Sequence, residues 1–160
     1  TWMQEKKSPV FVIATANDIS QLPPEFLRKG RFDEIFFVDL PSLKERGEIF
    51  EIQLARFGWS TDSLDINRLA QETESYSGAE IEQAIVAARF EAFSDGIEKM
   101  NDHHLLRAIK ESVPLSKTMQ DRIDGLRRWA THRARPASMA VANDEKSQKS
   151  RAQSLERNLE

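Results

Sequence analysis

Apolar residues follow two rhythms along this chain. From Val10 to Ala16, "VFVIATA" is continuously apolar and rich in β-branched side chains, which predicts a strand buried on both faces of a parallel sheet. Ser8-Pro9 stops the chain before it, and the turn pair Asn17-Asp18 ends it. "QLPPEFLRKG" has two prolines and then predicts a short helical turn, with Pro24 where a first helical residue fits. "EIFFVDLP", Glu34 to Pro41, predicts a second short buried strand.

Beyond Pro41 the period lengthens to that of helices. "SLKE", Ser42 to Glu45, has the capping-box form, a hydroxyl followed three residues later by a carboxylate. Leu43, Phe50, Leu54 and Phe57 then share one face, with Ile49 beside them. "FGWSTDS" predicts a loop, and Asp65 a cap for a short helix through Leu69 and Ala70. "SGAE", Ser77 to Glu80, is a second capping box, with Ile81, Ala84, Ile85 and Ala88 facing inward. Asn101 or Asp102 caps a fourth helix carrying Leu105, Leu106 and Ile109, stopped near Pro114. A fifth is predicted from about Ser116, with Met119, Ile123, Leu126 and Ala130 on one stripe. From Pro136 the composition turns polar and small, which predicts a flexible tail.

The pattern divides the chain into an incomplete α/β part (1–41), a helical unit (42–114), an extra helix (115–135) and a tail (136–160). Two strands do not make a stable sheet by themselves, so further strands are expected upstream of Thr1, the alternative being a fragment that borrows partners. Composition narrows the picture. At 39% hydrophobic the chain is globular, and its net charge of -3 predicts no general attraction to nucleic acid or anionic lipid. With no cysteine there is no disulfide framework, thiolate nucleophile or Cys-based zinc site. No apolar run approaches the roughly 20 residues of a membrane helix, and no secretory signal opens the chain.

Charge placement suggests the chemistry. In "FLRKGRFDEIFFVDLP", Arg28 and Arg31 flank Gly30, and a turn alone does not need two long cations. A guanidinium fork matches phosphate oxygens and keeps its proton. The plainer alternative is a solvated loop with a local Arg31–Asp33 pair, worth about 1 kcal/mol or less. Asn17 falls just past the carboxyl end of a parallel strand, where open α/β sheets bind ligands; it could equally be an ordinary turn asparagine. His103, His104 and His132 lack partners at metal spacing and read as surface or cap residues, so no metal site is assigned. Trp59 reads as a packing residue.

Together, "VFVIATAND", "LPPEFLRKGRFDEIFFVDLP" and "YSGAEIEQAIVAA" resemble the second half of an AAA domain, the hexameric P-loop ATPase family, from about Pro9 to Pro114. The segment "PLSKTMQDRIDGLRRWATHRARPAS" also resembles the plastid and cyanobacterial branch. The resemblance implies an α/β part followed by an all-α part, the end of a P-loop parallel-sheet subdomain joined to a helical lid. It implies that Asn17 is the sensor-1 residue, and that Arg31, with Arg28 as companion, is an arginine finger reaching a neighbouring subunit's nucleotide. Gly78 and Ala79 would open the sensor-2 helix beside adenine and ribose. Gln53 stands where many members carry a histidine near the ribose. Pro23, Lys29 and the order Thr15-Ala16-Asn17 are further departures, and none removes a charge the chemistry needs.

By the same resemblance the ligands are ATP and Mg2+, held mainly by an upstream half. The partners are copies of the chain itself in a ring, six by family habit, and an unknown protein substrate. The compartment is the cytoplasm or the plastid stroma. The chain has no G-x-x-x-x-G-K-[ST] and no apolar strand ending in two acids. Alone it is therefore not expected to hydrolyse ATP, and both elements are expected upstream. Two rival readings stand beside this one. One is a non-catalytic scaffold on the same fold. The other is an RNA-associated protein using Arg122, Arg127, Arg128, Arg133 and Arg135 around Trp129, a helix face diluted by Asp121 and Asp124.

Overall fold

The computed structural model describes residues 10–27, 31–97 and 99–138. After two single 3-10 turns, Ile19–Gln21 and Pro24–Leu27, a short strand β1 (Phe36–Phe37) leads into four helices. These are α1 (Leu43–Arg56), α2 (Ile66–Glu72), α3 (Gly78–Ser94) and α4 (Asp102–Glu111). They pack α1 on α2 and α3, and α4 on α3 and α2. Then come α5 (Leu115–Thr118), α6 (Gln120–Ala130) and β2 (Arg135–Pro136).

The helix starts follow the sequence closely because each carries its own cap. Ser42 accepts a hydrogen bond from the Glu45 amide while the Glu45 carboxylate accepts one from the Ser42 amide at 2.8 Å. Ser77 and Glu80 repeat the arrangement at α3. Asp65 caps α2 and Asn101 caps α4. Between these caps the inward residues close one core: Phe50, Leu54, Leu69, Ile81, Ile85 and Leu105 are fully buried. Trp59 and Phe57 pack against its edge. The Tyr76 hydroxyl donates within reach of the Ile109 and Ser112 carbonyls, at 2.8 and 3.1 Å, closing the α4 end onto the loop before α3.

The strand expectations need correction. Val10–Ala16 carries no ladder, and Phe11 and Ile13 are 89% and 78% exposed. A doubly buried strand needs a neighbour on each side, and no described residue provides one. Glu34–Pro41 shrinks to the two residues of β1, with Phe36 and Val38 exposed. Its partner comes from the far end of the chain: β2 lies parallel to it, in the register Phe36–Arg135 and Phe37–Pro136. Arg135 and Pro136 are thus strand residues, at the boundary where the extra helix was expected to give way to the tail. The predicted fifth helix is two, broken where Met119 leaves helical geometry at φ -121°, ψ 29°. The rest of the predicted tail, from 139 onward, lies outside the described residues.

Candidate functional site

β1 runs straight into the crossing Val38–Ser42, where the capping box of α1 begins the helical part. α6 is tied to this crossing through Arg127 and Asp39, and it faces the start of α3. Between them opens a cleft of about 330 Å³, lined by Val38–Pro41 of the crossing, Ser77 and Gly78 of α3, and Ile123 and Leu126 of α6. Ser77 caps the Glu80 amide, and the amides of Gly78 and Ala79 have no intrahelical acceptor at a helix start. A Cβ on Gly78 would meet only the Ile49 side chain, at 3.7 Å. That is an ordinary contact, so no clash demands glycine here.

Glu80 holds the α3 start in place. Burial would raise its pKa, but hydrogen bonds from the Leu115 amide, the Ser77 amide and the Ser77 hydroxyl together keep it below the ordinary value. Arg46 of α1, buried, donates from Nε to the Ala70 carbonyl and from Nη1 to the Pro41 carbonyl, both at 2.9 Å. It thereby ties the crossing to α2. Asp39 receives a forked hydrogen bond from Arg127 of α6, at 2.8 Å to Nε and 2.9 Å to Nη2.

Of the residues singled out in the sequence, Gly78 lines the cleft. Ala79 follows it at the exposed α3 start. Gln53 sits in the C-terminal half of α1 and outside the cleft lining, where its Nε2 donates to Glu82 at 3.4 Å and its buried Oε1 has no partner. Asn17 is exposed at a bend, beside Asp18, whose carboxylate pairs with Arg122 at 3.0 Å. Arg31 is half-buried, and neither it nor Asn17 lines the cleft. Arg28 lies outside the described residues. His104 is buried as part of the α4 capping box, its Nδ1 accepting from the Asn101 amide. Sequence reasoning missed Arg46 and the Arg127–Asp39 fork. A cue existed for the first, since Arg46 falls on the α1 face marked by Leu43 and Phe50. The second joins residues 88 apart in the chain, and no local pattern marks it.

Two family models match the chain. Residues 1–40 match the model described as ATPase family associated with various cellular activities (AAA), and residues 63–107 match the AAA+ lid domain. An uncharacterized AAA domain-containing protein ycf46 from Guillardia theta is 48% identical over 134 residues, 82% of this chain and 26% of the relative. Its counterpart in Gracilaria tenuistipitata var. liui is 50% identical over 131 residues, 81% of this chain and 26% of the relative. A proteasome-activating nucleotidase of Saccharolobus solfataricus is 41% identical over 102 residues, 64% of this chain and 26% of that protein. The chain spans about a quarter of the length of these relatives. Strand end, crossing, capped α3 and helical unit fall in the order the two matches require, and the chain belongs to the AAA family, joining the closing part of its ATPase domain to its AAA+ lid.

Proposed function

We propose that this chain is the sensor, arginine-finger and lid portion of an ATPase that, as a full-length protein, binds and hydrolyses ATP with Mg2+ and works as a ring of identical subunits, six by family habit. The observation that carries the reading is the cleft at the crossing, walled by Gly78 at the start of α3, in a chain matched by both the AAA and the lid models. Adenine and ribose take the Gly78–Ala79 side of that cleft, where free helix-start amides favour acceptors. Gln53, whose amide donates to Glu82 one turn beyond Gly78 on α3, serves the ribose edge. Among the described residues no three His, Asp or Glu side chains gather closely enough to hold a metal ion, and none of them is assigned to Mg2+.

Asn17 acts as a neutral polar group near the terminal phosphate, its amide donating to an oxygen and its carbonyl orienting the attacking water. Arg31, away from the cleft of its own chain, serves the nucleotide of the adjacent subunit, with Arg28 as companion. Its guanidinium meets the charge that spreads over the equatorial oxygens during phosphoryl transfer, an effect worth roughly 10³–10⁵ in rate in NTPases. Rotation of the lid about the crossing then passes the hydrolysis step around the ring. The work done is remodelling of a protein or complex, with substrate choice residing in other segments. Among the described residues no helix is long and apolar enough to cross a membrane, and we place the protein in the plastid stroma or the cytoplasm.

Arg31→Ala in the full-length protein tests the reading. ATP binding stays near the parent value while turnover collapses by at least about a hundredfold, consistent with the magnitude of such fingers. Turnover within about threefold of the parent, roughly 0.7 kcal/mol, removes Arg31 from the chemistry.

A further inference from the structure

The chain passes between its strand side and its lid twice. The first passage is the crossing Val38–Ser42. The second runs through α5, α6 and β2, and it is fastened at both ends. On the lid side, the Leu115 amide donates to Glu80 Oε1 at 2.6 Å and the Ser116 hydroxyl to the Ser75 carbonyl. On the strand side, the Arg135 amide donates to the Ile35 carbonyl at 2.8 Å and the Ala137 amide to the Phe37 carbonyl at 2.9 Å. Beyond β2 the Ser138 side chain returns to the lid, where it hydrogen-bonds the Glu45 carboxylate at the α1 start.

Among the described residues three ion pairs tie this second passage to the strand side, and they are not equivalent. Arg122–Asp18 and Arg135–Glu34 join partners that are a third or more exposed, and such pairs contribute little. Arg127–Asp39 is different. The Asp39 side chain is only 15% exposed and accepts from both Nε and Nη2 of the guanidinium. Its Oδ1 also accepts from the Leu40 amide at 2.7 Å, which fixes its orientation. Asp124, one turn before Arg127 on α6, takes the remaining Nη1 at 3.4 Å. Asp39 belongs to the first passage itself and to the wall of the cleft, whose opposite wall is Ile123 and Leu126 of the same α6.

We propose that Arg127 is a positioning residue: through its fork on Asp39, α6 sets the angle between strand and lid, and so slows escape of nucleotide from the cleft. The inference rests on the ATPase reading above. Forked charged hydrogen bonds resist rotation better than a single contact does, so a crossing held at Asp39 opens less often than a free one.

The test is a double-mutant cycle in the full-length protein with Asp39→Asn, Arg127→Gln and the pair together, following release of a fluorescent N-methylanthraniloyl ADP. Each single change speeds release by at least about threefold, and the double releases no faster than the faster single, because both remove one interaction. Arg127→Lys keeps the charge without the fork and remains fast. The melting temperature stays within about 3 °C of the parent, because the Arg127 end of the pair is 44% exposed and the lid core is untouched. Release unchanged within twofold, effects that multiply in the double, or full recovery in Arg127→Lys overturns the proposal. If the parent does not bind the ADP probe, the ATPase reading fails first. Amide hydrogen exchange then decides the strap: faster exchange at Arg135 and Ala137 in Asp39→Asn supports it, and unchanged exchange overturns it.

Discussion

At the scale of single residues, the crossing between strand and lid is held by arginines in two different environments. Arg127 is partly exposed, and its hydrogen bonds to Asp39 raise its pKa against a smaller opposing effect of burial. Arg46 is buried, and burial lowers its pKa while the charge of Glu74 pushes back. A buried guanidinium is tolerated only where its donors are met, and the Ala70 and Pro41 carbonyls meet two of them. Removing the side chain strands the Pro41 carbonyl and leaves the Ala70 carbonyl with only the Thr73 hydroxyl, at 3.2 Å. Arg46→Ala therefore costs about 3 kcal/mol of stability, and Arg46→Lys recovers less than half, because one ammonium cannot span two carbonyls in the geometry of the fork. Urea midpoints of the three proteins check this, and a cost below about 1 kcal/mol would mean that water satisfies those carbonyls instead. Ser75 adds a smaller peculiarity: it holds φ 71°, a left-handed value uncommon for serine, and from there its carbonyl meets Ser116.

At the scale of elements, what was legible in the sequence is what is locally encoded. The starts of α1 to α4 were readable because Ser42, Asp65, Ser77 and Asn101 each satisfy helix amides within three residues. The break at Met119 was not, since the stripe of Met119, Ile123, Leu126 and Ala130 is continuous in sequence. α5 is nevertheless pinned to the lid by Glu80 and Ser75, while α6 is pinned to the strand side by Asp39. Tertiary attachment at two places divides one predicted helix into two. The caps also carry a pH signature. Glu45, chiefly through its hydrogen bond from Ser138 and then through those from Ser42, titrates below its ordinary value of 4.5. Glu80 does so too, hydrogen bonds from Leu115 and Ser77 outweighing the opposing effect of burial. A carboxylate with a depressed folded pKa stabilises the fold above its unfolded pKa, and that contribution is lost as pH falls through the folded value. Stability therefore declines as pH drops below about 4.5, and Glu45→Gln with Glu80→Gln flattens the decline; urea midpoints from about pH 6 to about pH 3 read the slope. An equal slope in parent and double variant would assign the acid sensitivity to other carboxylates.

At the scale of the whole molecule, the helical lid is closed and the strand side is open, and this difference governs what the sequence could reveal. The lid core draws every member from α1 to α4 and the loops between them, so its pattern was complete within the chain and readable. The segments Val10–Ala16 and Glu34–Pro41 have the composition of buried sheet, but burial requires neighbours, and among the described residues only Arg135–Pro136 pairs with β1. The candidate site divides in the same way. Gly78 reaches the cleft through local helix geometry, whereas the proposed roles of Asn17 and Arg31 depend on groups that their own described surroundings do not supply. From this asymmetry follows a test of domain structure. The segment from Pro41 to Pro114 retains the Arg46 contact to Pro41, the Tyr76 bonds and all four core helices. It therefore folds by itself and melts in one cooperative transition, with a midpoint roughly 5–10 °C below the whole chain, since it loses the Glu80–Leu115 support at its edge but none of its core. Helical circular dichroism and calorimetry of the excised segment supply the measurement. A broad, non-cooperative melt would show that α5, α6 and β2 belong to the folding unit of the lid rather than bracing it from outside.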